Sequence, residues 1–279
     1  MSTASDAISP TAHYTGQVWL RNGLSHPRLG TIEGRVLFDA LHPVMVASGA
    51  FGGPSLESYL LARHRAIDAL LGRAIEAGSI TQVVEVAAGL SPRGWRFARH
   101  YGDRLTYVEA DLPAMAARKR RALEQIGSLG QRHRVEDLDA LRDDGPGSLA
   151  ALAAGLDRSQ GLAIITEGLL GYLAPDAMAS LWRRFAATLS EFAGGRYISD
   201  LHLGSVQNLA VRGFRLVLSA FVRGRVYLHF HDAAEAEAAL RAAGFASASV
   251  QPASKLVELA PGPGGQLVHI LEASTEMSH

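Results

Sequence analysis

The 279-residue chain contains no cysteine, which removes disulfides, thiolate metal sites and thiol nucleophiles together. It carries no net charge: Lys+Arg and Asp+Glu are both 27. A dedicated nucleic-acid binder needs a basic excess to neutralise phosphates, so the composition argues against that class. No apolar run approaches the length of a membrane span, and Met1 to Pro10 lacks the basic-then-apolar layout of a signal peptide. The expectation is a cytoplasmic protein that engages neither membrane nor nucleic acid. Lysine is scarce as well: Lys119 and Lys255 stand alone among arginines, a bias that suggests a GC-rich bacterial genome. What is present is ordinary for a globular protein. Apolar residues make up 48% and charged residues 19%, enough to bury a substantial core. The length suits one α/β core with an appendage.

Along the chain, residues 1–30 are polar and turn-rich and read as a mobile arm. From Thr31 to Ala77 the pattern is helical, broken by Gly49, Gly52, Gly53 and Pro54; Leu56, Leu60, Ile67, Leu70 and Leu71 then recur at helical spacing. Short apolar runs follow at Thr81–Ala87, Thr106–Asp111, Leu162–Thr166 and Arg196–Asp200, with a weaker one at Gln131–Val135. Helical segments at Arg93–Tyr101, Leu112–Leu129 and Pro175–Phe192 lie between them. Strands alternating with helices predict parallel βαβ units and a doubly wound α/β sheet. After a helix at Ala233–Ala243, two runs (Ala248–Gln251 and Gln266–Glu272) follow with no helix between them. They are separated by Pro261-Gly-Pro-Gly-Gly265, which predicts an antiparallel hairpin at one edge. The fold expected is therefore a mostly parallel seven-stranded sheet of order 3-2-1-4-5-7-6, with an N-terminal helical lid. It divides into 1–78, arm and lid, and 79–279, a Rossmann-like domain. The insert at about 204–231 is too long for a plain connection and is expected to line a substrate pocket.

In open α/β sheets ligands bind beyond the carboxyl ends of the strands, so the polar residues there form a reading list. After the first strand comes Glu85-Val-Ala87-Ala-Gly89-Leu-Ser-Pro-Arg93. Small residues there admit a ligand close to the backbone, and the next helix N-terminus favours negative charge. The segment is not G-x-G-x-x-G, which disfavours a dinucleotide. Asp111 ends the second run, the usual place for a carboxylate that accepts from ribose hydroxyls. Asp137-Leu138 follows the third run, and Glu167-Gly-Leu-Leu-Gly-Tyr172-Leu the fourth.

These blocks, with Arg63-His-Arg65-Ala-Ile-Asp68 before them and Lys119 after Asp111, resemble the leucine carboxyl methyltransferase family of class I methyltransferases, from about Leu56 onward. The resemblance implies S-adenosyl-L-methionine as cofactor and O-methylation of a small-molecule, natural-product-type carboxylate or hydroxyl. It implies that Arg63 or Arg65 binds the cofactor carboxylate through a bidentate pair, that Ala87 to Gly89 lie beneath its amino-acid part, and that Asp111 holds the ribose diol. Asp137 and Leu138 would hold the adenine, and Glu167 the ammonium or the loop around it. Glu85 joins this cofactor set, with hydrogen bonding to loop amides as its structural alternative. Two departures from the family pattern stand out: Ser91-Pro92 replaces the common Asp-Thr, and Ala87 replaces the commoner glycine.

Tyr172 and His202 are the candidate catalytic residues. Aromatic rings suit a sulfonium, and Tyr14 and Trp19 share that candidacy. His202 would serve as base if the acceptor were a hydroxyl. Two other classes remain open: a cyclising enzyme of the same fold that turns the cofactor into azetidine-2-carboxylate and methylthioadenosine, and a non-catalytic binding module. His229-Phe-His231-Asp232 has metal-like spacing but no third ligand, and Asp232 is placed to cap the following helix. Arg212, Arg215, Arg223 and Arg225 read as a solvated helix face ahead of an anion clamp. No metal is expected, and the sequence assigns no oligomeric state.

Overall fold

The computed structural model describes residues 10–50, 56–204, 227–257 and 264–275. Seven strands form one sheet: β1 (Gln82–Val86), β2 (Thr106–Asp111), β3 (His133–Asp137), β4 (Gly161–Thr166), β5 (Gly194–Leu201), β6 (Ser247–Pro252) and β7 (His269–Ser274). Their order is β3-β2-β1-β4-β5-β7-β6. β1 to β5 pair in parallel, and β7 runs antiparallel to both β5 and β6. The order expected from the alternating runs and the final hairpin is the order found.

The central strands β1 and β4 are covered on both faces, which is why Val83-Val84 and Leu162–Ile165 read as unbroken apolar runs. On one face α7 (Pro175–Leu189) buries Leu181, Trp182, Phe185 and Leu189. On the other, α3 (Leu56–Glu76) buries Leu60, Ile67 and Leu71 beside Phe97 of α4 (Arg93–Tyr101). α5 (Pro113–Ile126) begins with proline, whose fixed φ suits a first turn, and stops at Gly127 in the left-handed region. A short α6 (Leu149–Ala153) precedes β4. Asp232 caps α8 (Ala233–Ala242), accepting from the Glu235 N–H at 3.0 Å, as the sequence suggested. Side chains of α8 reach the outer edge of β6: Val250 N–H donates to Glu237 Oε1 at 2.9 Å, and Arg241 donates to the Ala248 carbonyl at 3.1 Å.

Three elements differ from expectation. Within the supposed mobile arm, Pro10–Arg21 forms a helix, α1, with Tyr14 and Val18 buried on one face. It packs on α2 (Ile32–Ala50), where Tyr14 stacks on Phe38 at 5.4 Å. β3 starts two residues later than read, because Gln131 and Arg132 are exposed and pairing with β2 begins at His133. Gly264–Leu267 is a single helical turn, α9, so the last strand begins at His269 and not at Gln266. Most of the 204–231 insert, including its four arginines, lies outside the described residues. Among the described residues no helix is long and apolar enough to cross a membrane.

Candidate active site

Strand register builds the site. Val86 lies level with Ala110 and Thr166, and Thr166 with Ser199, so the next residue of each strand falls in one row. Asp111 is level with Asp137 in the same way. The row reads Asp137, Asp111, Ala87, Glu167, Asp200: four carboxyl side chains flanking one alanine at the carboxyl edge of five parallel strands. The strand order reverses its direction of winding at β1 and β4, so the row spans the crevice where such sheets bind ligands.

At the β2 end, Asp111 Oδ2 accepts the Gly89 N–H at 2.7 Å and Oδ1 the Leu112 N–H at 2.8 Å. Burial raises the Asp111 carboxyl above its ordinary value, and the two amides offset part of that rise. Ala87 and Gly89 both take left-handed backbone, with φ of 54° and 49°, which folds the loop back over the strand ends. The loop is held from below: Lys119 donates to the Ala88 carbonyl at 3.2 Å and pairs with the fully buried Glu109. His133 Nε2 donates to the same Glu109 at 2.7 Å. Burial pushes the Glu109 carboxyl up, but Lys119 and His133 outweigh it and hold it below the usual range.

On the β4 and β5 side a network of buried ions fills the space between strands and helices. Tyr59 and Arg63 are four apart on α3, as are His64 and Asp68, and both stripes face the strand ends. Arg63 Nε donates to Glu167 at 2.9 Å, and its Nη1 reaches Asp200 at 3.4 Å. Arg93, the first residue of α4, is fully buried and donates to Asp68, Glu85 and Glu167, each at 2.6 Å. Burial alone would raise the Glu167 carboxyl, but His64, Arg93 and Arg63 hold it well below the usual range. Gly168, with φ of 72°, lies flat on Arg63, and a Cβ there would stand 3.1 Å from Nη1. Its N–H donates to Asp200 Oδ1 at 2.7 Å.

The site residues read from the sequence are distributed as follows. Arg63, Ala87, Gly89, Asp111, Asp137, Leu138 and Glu167 all come to the crevice edge. Leu138 is buried and its N–H donates to the Asp111 carbonyl at 2.8 Å, while Asp137 is exposed and pairs with Arg120 at 3.2 Å. Arg65 does not join them: two residues beyond Arg63 it turns to the other side of α3 and is exposed. Glu85 is a second correction. It lies inside β1 and not in the loop, with one oxygen on Arg93 and the other on the Tyr107 hydroxyl at 2.8 Å. The Tyr172 hydroxyl lies 3.3 Å from Thr11 of α1. His202 Nε2 hydrogen-bonds the hydroxyl of buried Tyr59. Trp19 lies beside His64, ring centroids 4.8 Å apart, whereas Tyr14 belongs to the α1–α2 packing. His229 Nε2 turns inward to the Leu170 carbonyl, His231 is exposed, and the described residues hold no metal-binding cluster.

Several residues of the site carry no reading from sequence alone. Gly168 follows Glu167 in a motif, and Arg93 follows the small-residue loop, yet their roles depend on partners far along the chain. Asp200 and Tyr59 had only positional cues: the end of an apolar run and a helix stripe shared with Arg63.

The family model for leucine carboxyl methyltransferase matches residues 35–186, more than half of the chain and most of this crevice. The chain belongs to the leucine carboxyl methyltransferase family. Two relatives, both provisionally named S-adenosyl-L-methionine-dependent methyltransferases, come from Frankia alni and Mycolicibacterium vanbaalenii. The first is 38% identical over 128 residues, covering 46% of this chain and 43% of the relative. The second is 40% identical over 126 residues, covering 45% and 39%. The chain thus matches less than half the length of each. A crystal structure from Thermobifida fusca, provisionally described as a methyltransferase, superposes with a TM-score of 0.68 at 13% identity, covering 98% of this chain and 97% of that one. At that identity the likeness establishes the fold.

Proposed function

We propose that this member of the leucine carboxyl methyltransferase family is an S-adenosyl-L-methionine-dependent O-methyltransferase. Its acceptor would be a small-molecule carboxylate or hydroxyl of natural-product type, in the bacterial cytoplasm. The observation that carries the reading is the row from Asp137 to Asp200, with Asp111 at one end of the crevice and the Arg63–Glu167 pair toward the other. The names of the relatives support the same cofactor.

The donor set fits that cofactor. Each Asp111 oxygen has accepted one amide, and a carboxylate oxygen has room for a second hydrogen bond, so two acceptor positions remain for a vicinal diol. Leu138 offers an apolar wall and Asp137 an acceptor for an exocyclic amine. Glu167 and Asp200 are anionic partners for an ammonium. Gly168 packs its bare Cα on the Arg63 guanidinium, and with Nε on Glu167 and Nη1 reaching Asp200, Nη2 is the nitrogen with N–H donors to offer a carboxylate.

When bound, the cofactor supplies an electrophilic methyl group on a sulfonium. A carboxylate acceptor needs no base, so these residues would contribute alignment and exclusion of water. α1 serves the second task by lying on the loop, with Ala12 against Gly89 and Gly16 against Leu90. For a hydroxyl acceptor, His202 would take the proton, its ring positioned by Tyr59.

The test is to incubate purified protein with S-adenosylmethionine, with and without a panel of small acids and phenols, and to identify products by mass spectrometry. S-adenosylhomocysteine formed only with an acceptor is the expected result. Methylthioadenosine with a cyclic amino acid from the cofactor alone would make the protein a cyclising enzyme. Absence of binding at millimolar cofactor would leave a binding module.

A further inference from the structure

We infer that the loops beyond β4 and β5 form a ring-stacking subsite whose occupant is a flat aromatic methyl acceptor, an inference that rests on the cofactor reading above. Among the described residues, every phenylalanine, tyrosine and tryptophan is buried except Trp95, Tyr172 and Tyr227. Trp95 is covered by its own neighbours, the His26 ring at 5.5 Å and the Arg99 guanidinium over its face at 5.3 Å. Tyr172 and Tyr227 stand together: the Tyr227 N–H donates to the carbonyl of Gly171, the residue before Tyr172, at 2.8 Å. A ring left facing water forgoes the burial that core rings gain, so two of them side by side at one end of a crevice mark a place for a ligand.

Hydrogen bonds join three stretches of chain here. His229 Nε2 donates to the Leu170 carbonyl at 2.9 Å, and the Gly204 N–H donates to the Phe230 carbonyl at 2.9 Å. Residues 227–230 are thereby tied both to the loop after β4 and to the chain just past β5. Phe230 is the anchor, buried with its ring nearly parallel to Trp182 at 5.6 Å. Tyr227 and His229, two residues apart, stack on each other at 6.0 Å with 17° between their planes. A second stack lies past β5, where half-buried His202 rests on buried Tyr59 at 5.6 Å and 30°. Each pair thus presents a partly open ring at the carboxyl edge of β4 and β5. In the cofactor reading Asp137 and Asp111 take the adenosine at the far end of the row, and Arg63 with Glu167 the amino acid, which leaves the β5 side for the acceptor. Offset or edge-on contact with such rings favours a planar aromatic guest over a saturated one of equal size.

The experiment loads the protein with S-adenosylhomocysteine, so that no turnover occurs, and measures second-ligand affinity by ligand-observed NMR. The probes are matched pairs: 2-naphthol with its decahydro counterpart, and 2-naphthoate with its own. In the wild type at least one aromatic member should bind roughly three- to tenfold tighter than its saturated partner, as for one or two aromatic contacts. Tyr227→Leu keeps an apolar side chain but removes the ring face, so it should bring that ratio close to one and leave the saturated compound unchanged. Tyr227→Phe should preserve the ratio. Saturated members that bind as well as or better than their aromatic partners in the wild type overturn the inference whether or not a variant folds. So does the failure of every probe to bind while S-adenosylhomocysteine is held. A ratio left intact in both Tyr227→Leu and Tyr172→Leu, each folded by its melting transition, overturns it too. If S-adenosylhomocysteine itself does not bind in a calorimetric titration, the cofactor reading fails and takes the inference with it.

Discussion

Ala87 carries a methyl group in a backbone conformation that penalises one. Its φ of 54° is the only positive value at a non-glycine residue among those described. Ala87→Gly should therefore stabilise the protein by about 0.5–1 kcal/mol, since relief of left-handed strain exceeds the extra freedom glycine gives the unfolded chain. A denaturant midpoint that stays put or falls would show that the loop is not strained. At Asp111 the prediction concerns affinity: Asp111→Ala should weaken S-adenosylmethionine binding by about 1.5–3 kcal/mol, the range for a hydrogen bond to a charged group. Unchanged affinity in a calorimetric titration would reduce Asp111 to a brace for the Gly89 and Leu112 amides. Asp111 and Glu167 were legible in the sequence because each follows an apolar run, and the end of a buried strand has a fixed meaning in this architecture. Arg63 and Arg65 were not separable by type, only by which side of α3 faces the sheet. Asp68, Arg93 and Asp200 were unreadable as a group, since their contacts join α3, α4 and β5 across long stretches of chain.

The N-terminal helix was the element least visible beforehand. Its sequence has few charges and starts at a proline, and what makes it helical is a surface to lie on: α2 and the β1 loop. The crossing of α1 and α2 is close at one point. A Cβ at Gly34 would lie 2.4 Å from the His13 carbonyl, which is backbone and cannot rotate aside. Gly34→Ala should thus force α1 away from α2, at a cost of about 1–3 kcal/mol, the range for overpacking a tight contact. A melting temperature equal to wild type, with unaltered tryptophan emission in a Trp95→Phe, Trp182→Phe background that leaves Trp19 as the reporter, would contradict that docking. A milder effect is expected at α8. Asp232→Ala removes the N-cap and should cost about 1 kcal/mol in urea unfolding, with cofactor binding unaffected. Here sequence and structure agree, because a cap is a local device that four consecutive residues specify.

Across the whole molecule, the topology was readable because parallel pairing requires crossovers, and the sequence shows one helical segment for nearly every crossover. Its stability against acid follows from the buried ions. Glu167, Asp68 and Glu109 all titrate below their ordinary values of 4.5, 3.8 and 4.5. A carboxyl depressed on folding contributes stability that is present above its unfolded value and lost as pH falls toward its folded one. The unfolding free energy should therefore be nearly level above about pH 5 and drop steeply below it. Glu167→Gln should make that drop shallower, and an equal slope in acid titrations followed by circular dichroism would remove Glu167 from the account.

The outer flank of β6 has a last consequence. An open strand is a template on which another polypeptide can assemble, and proteins with bare flanks tend to polymerise. Here Glu237 takes the outward amide of Val250 and Arg241 takes the outward carbonyl of Ala248. Two side chains of one helix thus imitate the neighbour that the strand lacks, so crowding should not recruit this flank into fibrils.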